Sequence, residues 1–195
     1  EDFDAAFKEM RPSSGREFEV DLRHAGWDKI AGYSREIDFL KQVILWPLQH
    51  SSFMSQIGVN YAGGLLLTGP SGVGKTLMAR SLAKESGFNV IEIRGAQLLS
   101  KYVGESERNI RELFRQARQM APTVVILDGI ESMASSGWSD NKVIDRVVNQ
   151  LVMEMSAING DKPVLVLAVA QKPEDLPPAL RATGRFGTEL RMRLP

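Results

Sequence analysis

The chain contains no cysteine and only two histidines, His24 and His50. Without thiols there is no disulfide framework, no thiol nucleophile and no cysteine-based metal site, and two histidines so far apart show no ligand spacing. Excess charge of either sign is missing too. The 24 Lys and Arg balance 24 Asp and Glu, so no broad polycationic surface argues for nucleic acid and no acidic tail stands out. No apolar run reaches the roughly 18 residues of a membrane span, the longest candidates lying around Val164–Ala170. A basic-apolar leader is absent and the first residue is Glu1 rather than Met, which reads as a piece of a longer chain whose default compartment is the cytosol or nucleus. What remains, 195 residues of which 43% are apolar and 25% charged, suits one globular domain, or one domain plus a fragment.

One stretch organises the rest. Gly69-Pro70-Ser71-Gly72-Val73-Gly74-Lys75-Thr76 fits G-x-x-x-x-G-K-[ST] at every fixed position and follows the apolar run Leu65-Leu66-Leu67. A strand entering such a loop and a helix leaving it aim several backbone N–H groups at one spot, with the positive helix end behind them. Glycines let the backbone take positive φ and approach phosphate oxygens closely. Lys75 can reach β- and γ-phosphates, and the Thr76 hydroxyl can ligate a bridging Mg²⁺. The context agrees, since Thr76 to Ser86 reads as a helix closed by Gly87.

Along the chain, Phe3, Phe7 and Met10 sit at helical spacing until Arg11-Pro12-Ser13-Ser14-Gly15 breaks it. Val20 to Gly32 is irregular around Trp27; Ser34 is then placed to cap a helix carrying Ile37, Leu40 and Ile44 up to Trp46-Pro47. Strands are expected at Gly64–Thr68, Phe88–Ile93, Thr123–Leu127 and Val164–Ala170, with an alternating strand from Glu189 to Leu194. Between them run helices with clean apolar stripes, Ile110, Leu113, Phe114 and Ala117 in one, Ile144, Val148, Leu151, Met155 and Ile158 in the next. Strands separated by helices need crossover connections, so the fold class is α/β, a five-stranded mostly parallel sheet with helices on both faces. Ligands of such sheets sit outside the carboxyl ends of the strands. The phosphate loop, Asp128 and Gln171 all fall at such ends.

The run LLSKYVGESERNIRELFRQAR from Leu98 to Arg118, together with GPSGVGKT, WDKIAG at Trp27–Gly32 and GRF at Gly184–Phe186, resembles the AAA+ ATPases of the valosin-containing-protein type. The similarity covers residues 18–195 and implies the large nucleotide-binding subdomain of this P-loop NTPase family. Residues 1–17 resemble the end of a preceding domain's lid and the interdomain linker, so the chain looks like the second ATPase domain of a tandem protein without its helical lid. The resemblance implies ATP/ADP and Mg²⁺ as cofactors, self-assembly into a hexameric ring, and protein substrates with adaptors. It further implies that Ile30, Ala31 and Gly32 border the adenine and that Pro70, Ser71, Gly72, Val73, Gly74, Lys75, Thr76 and Leu77 hold the phosphates. Thr76 and Asp128 would hold Mg²⁺, the latter through water, Tyr102 would be the pore aromatic that grips a polypeptide, and Arg185 would be an arginine finger for a neighbour's ATP. Trp138, in the loop after Asp128, is either a second pore contact or a patch touching a neighbour.

The departures from that pattern fall on catalysis. Asp128 is followed by Gly129, where the family has the Glu that activates the attacking water. Glu131 stands where the family usually has another acid and is therefore not an obvious substitute. Gln171 replaces the usual sensor Asn, Ala182 replaces the first of two arginines, and Ala31 replaces a Gly. Water-positioning groups are worth roughly 10²- to 10⁴-fold, so the expectation is an ATP-binding domain with impaired hydrolysis; the alternative is an active motor threading polypeptide through a central pore. A kinase or GTPase is disfavoured, because neither an N-K-x-D motif nor a kinase lid signature follows.

Overall fold

The structure is a computed structural model and describes residues 20–56, 63–98, 104–131, 141–158 and 163–194. Tyr102, Trp138 and residues 1–17 lie outside the described residues. Five strands, β1 (Gly64–Thr68), β2 (Asn89–Arg94), β3 (Thr123–Asp128), β4 (Val164–Val169) and β5 (Thr188–Arg191), form one sheet in the order β2-β3-β4-β1-β5. Every pairing is parallel, so all five carboxyl ends lie along one rim. Around the sheet run α1 (Ser34–Leu40), α2 (Trp46–Gln49), α3 (Ser51–Gln56), α4 (Lys75–Ser86), α5 (Gly95–Leu98), α6 (Glu105–Gln119) and α7 (Asn141–Ser156).

The period of two in the strands sorts the core into two layers. Leu66, Val125, Leu127, Val166 and Ala168 face α6 and α7, which answer with Ile110, Leu113, Phe114, Val147, Leu151 and Met155. Leu65, Leu67, Val124, Ile126, Leu165 and Leu167 face α4 and the α1 region, meeting Met78, Leu82, Leu40 and Ile44. β1, β3 and β4 are therefore covered on both sides, which is why they read as unbroken apolar runs. No helix among the described residues is long and apolar enough to cross a membrane.

Two local expectations differ. Ser34 opens α1 rather than capping it; Tyr33 holds the cap position, with no side-chain bond to the helix. The helix also does not stop at Trp46-Pro47 but widens into a π turn over Lys41–Leu45 and continues through α2. Proline has no N–H for the carbonyl one turn back, and its ring crowds that carbonyl. A π turn directly before Pro47 gives it room, and Leu45, Pro47 and Leu48 remain buried.

Candidate functional site

The loop leaving β1 is tied down on both sides before it turns. The Ala170 N–H donates to the Leu67 carbonyl at 3.0 Å, the Met192 N–H to Thr68 at 2.7 Å, and the Gly69 N–H to the Gln171 carbonyl at 3.1 Å. A Cβ at Gly69 would lie 2.2 Å from the Met192 carbonyl oxygen, so only glycine fits between β1 and the chain that follows β5. Gly72 and Gly74 have φ of 84° and 90°; a Cβ at either meets no protein atom within 4 Å, so backbone conformation and not crowding requires them. Val73 between them turns into the core on the α4 side, anchoring the loop from beneath.

Lys75 and Thr76 open α4. The Lys75 ammonium donates to the carbonyls of Gly69 and Pro70, each at 2.8 Å. Burial lowers its pKa from the ordinary lysine value, and the negative charges of Glu131 and then Asp128 oppose that shift. The Thr76 hydroxyl donates to Asp128 Oδ1 at 3.1 Å. These two oxygens come from the ends of two strands that are not neighbours, β1 through its loop and β3 directly.

Between the strand ends opens a cleft of about 340 Å³. It is lined by Ser71, Gly72, Gly74, Lys75, Thr76 and Leu77 on one side, Asp128, Gly129 and Glu131 on the second, and Val169 and Gln171 on the third. The donor set suits a triphosphate and Mg²⁺. A lysine and a helix N-terminus at the cleft favour an anion there, and a hydroxyl and a carboxylate already in contact offer the hard oxygens that Mg²⁺ prefers.

The remaining candidates are placed elsewhere. Ile30 is half-buried against the α4-side core, while Ala31 and Gly32 are exposed; none of the three lines the phosphate cleft. The Tyr33 hydroxyl beside them donates to the Arg193 carbonyl at 2.5 Å, which ties this segment to the chain beyond β5. Arg185 lies at the opposite rim. Its carbonyl accepts from the Gly64 N–H at the start of β1, and its guanidinium donates to the Ala179 carbonyl at 2.9 Å, with Ser156 Oγ at 3.5 Å. From the amino ends of the strands it does not reach its own chain's cleft.

Glu131, which the sequence offered as no obvious substitute for the missing Glu, nevertheless lines the cleft. Gly129 has φ of 63°, a left-handed conformation that reverses the chain after β3. The Ile130 N–H donates to the Val169 carbonyl at 3.2 Å, and the Ile130 side chain is buried with α6 and α7. The chain thus folds across the end of β4, and Glu131 comes to the cleft wall. A glycine directly after a buried strand, followed by an apolar residue and an acid, was the available signal.

Residues 65–194 match the family described as ATPase family associated with various cellular activities (AAA). The chain is 43% identical over 188 residues to Protein CdcH of Halobacterium salinarum and 41% identical over 188 residues to the cell division cycle protein 48 homolog of Archaeoglobus fulgidus. It is 39% identical over 197 residues to ATPase family gene 2 protein homolog A of Homo sapiens. These matches take in 95%, 95% and 100% of this chain but only 25%, 26% and 22% of the relatives, so it spans about a quarter of their length.

Proposed function

The chain belongs to the AAA ATPase family, and from that premise we propose that it is a Mg·ATP-binding domain of a larger, ring-forming, protein-remodelling ATPase, with hydrolysis slowed by the glycine at position 129. The single observation that carries this is the contrast inside one cleft. Lys75, Thr76 and Asp128 are assembled, with Thr76 and Asp128 in hydrogen-bond contact, while Gly129, beside Asp128, brings no side chain to the water-activating position.

In the mechanism that follows, Lys75 exchanges its two loop carbonyls for phosphate oxygens, and the loop amides and the α4 N-terminus offset the remaining charge. Thr76 and, through water, Asp128 would hold Mg²⁺, which when bound would neutralise charge developing on the phosphates. Gln171, one methylene longer than the family's Asn, reaches from β4 toward the attacked phosphate. Ile30, Ala31 and Gly32 border the base. Arg185, at the far rim, acts on a neighbouring subunit's nucleotide, and residues 1–17 link to a preceding ATPase domain. Tyr102 contacts translocating polypeptide in the pore. Protein substrates and adaptors, and a cytosolic or nuclear setting, belong to the same proposal.

Binding tests it first. Lys75→Ala removes charged hydrogen bonds worth about 1.5–3 kcal/mol each, so the affinity for Mg·ATP falls at least ~10- to 100-fold by fluorescence titration with a labelled ATP. An unchanged affinity in a folded Lys75→Ala variant overturns the assignment.

A further inference from the structure

The cleft contains a carboxylate for which the proposed function has no use. Glu131 stands three residues after Asp128, where the family's water-activating acid stands one residue after. Three observations bring it into the site. It lines the same cleft as Lys75, Thr76 and Asp128. Its charge acts on the Lys75 ammonium more strongly than that of Asp128 does. The turn that delivers it is fixed, by the left-handed Gly129, by the Ile130 N–H on the Val169 carbonyl and by the buried Ile130 side chain. Any non-glycine residue at 129 holds that left-handed conformation only with strain. The glycine thus suits the turn that carries the chain on to Glu131.

We propose that Glu131 is the carboxylate that orients and deprotonates the attacking water in this cleft, taking over the position left open by Gly129. This rests on the Mg·ATP-binding function proposed above and deepens it: hydrolysis is slow because the acid arrives by a detour, and what hydrolysis there is runs through Glu131. In the step, the water oxygen bonds to Pγ as the bond from Pγ to the bridging oxygen of ADP breaks. The proton shed by the water passes to the Glu131 carboxylate and from there to solvent, leaving ADP and phosphate.

The test compares the unaltered chain with Glu131→Gln and Glu131→Asp, using three readouts: ADP binding, capture of ADP with aluminium fluoride and Mg²⁺, and single-turnover hydrolysis of radiolabelled ATP with the chain in excess. Aluminium fluoride with ADP imitates the phosphoryl group in flight, so its capture reports on the water-side contacts without requiring turnover. Glu131→Gln is expected to bind ADP within about twofold of the unaltered chain, to lose most of the extra affinity that aluminium fluoride confers, and to hydrolyse ATP ~10²-fold more slowly or worse. Glu131→Asp is expected to recover part of both. Equal fluoride capture and equal hydrolysis in Glu131→Gln and the unaltered chain overturn the inference while leaving nucleotide binding intact, as does an unaltered chain that binds ADP but shows neither hydrolysis nor fluoride capture. Failure of every variant, including the unaltered chain, to bind ADP overturns the underlying function instead.

Discussion

The ends of β1 and β3 face each other across the same cleft, yet they are built by different means. At the end of β1 the backbone is held from both sides, by Gln171 and Met192, and the loop runs through Gly72 and Gly74 at positive φ into the helix that Lys75 and Thr76 open. At the end of β3 the carboxylate Asp128 is in place and touches Thr76, but the chain then turns through a left-handed glycine and delivers its next acid, Glu131, from further along. Under the proposed function, binding and hydrolysis rest on these two separate pieces of backbone. On that proposal nucleotide affinity depends on a rigid cradle whose cost of organisation is met in folding, whereas turnover depends on where a single carboxylate sits.

The contrast is broken most severely at Gly69. Gly69→Ala drives a Cβ to 2.2 Å from the Met192 carbonyl oxygen, a clash between backbones that no rotamer relieves. A loss of about 3 kcal/mol or more is expected, lowering the melting temperature by roughly 6–12 °C and abolishing Mg·ATP binding; thermal unfolding followed by circular dichroism checks it. At the other end the effect is smaller and of a different kind. A Cβ at Gly129 meets nothing within 4 Å, so Gly129→Ala carries only the left-handed strain of about 1 kcal/mol, or ~2–4 °C in melting temperature. Its binding of Mg·ATP stays within about twofold while single-turnover hydrolysis falls further, because relaxing the turn withdraws Glu131. If Gly129→Ala weakens binding as strongly as Gly69→Ala, the two strand ends are not independent.

Most of the architecture was legible because strands buried on both faces need continuous apolar runs and helices against them need stripes at 3.6-residue spacing. Val124 to Leu127 and Ile110 to Ala117 are such cases, and both lie in the core as expected. The form of the loop after β1 was legible because its glycine spacing before Lys75 and Thr76 calls for positive φ and then a helix, as found at Gly72, Gly74 and Lys75–Ser86. The α1 region was misread at Pro47, since a proline signals a helix stop and nothing local announces a π turn that absorbs it. The place of Glu131 in the cleft was not legible for a related reason: it is decided by the φ of Gly129 and by Ile130 bonding to β4, not by spacing from Asp128 along the chain. Arg185 lies away from its own chain's cleft, and its partners there, Ala179 and Ser156, could not be read from the GRF motif.

The most direct measurement follows binding and phosphate release in one sample, with the folded chain held in excess over Mg·ATP. An enzyme of median speed turns over at about 10 s⁻¹, and a missing water-positioning group lowers that by roughly 10² to 10⁴, so the account predicts stoichiometric capture of ATP followed by conversion at about 0.1 s⁻¹ or slower. No capture by a folded chain contradicts it outright, and capture followed by conversion at about 10 s⁻¹ contradicts the separation of binding from turnover.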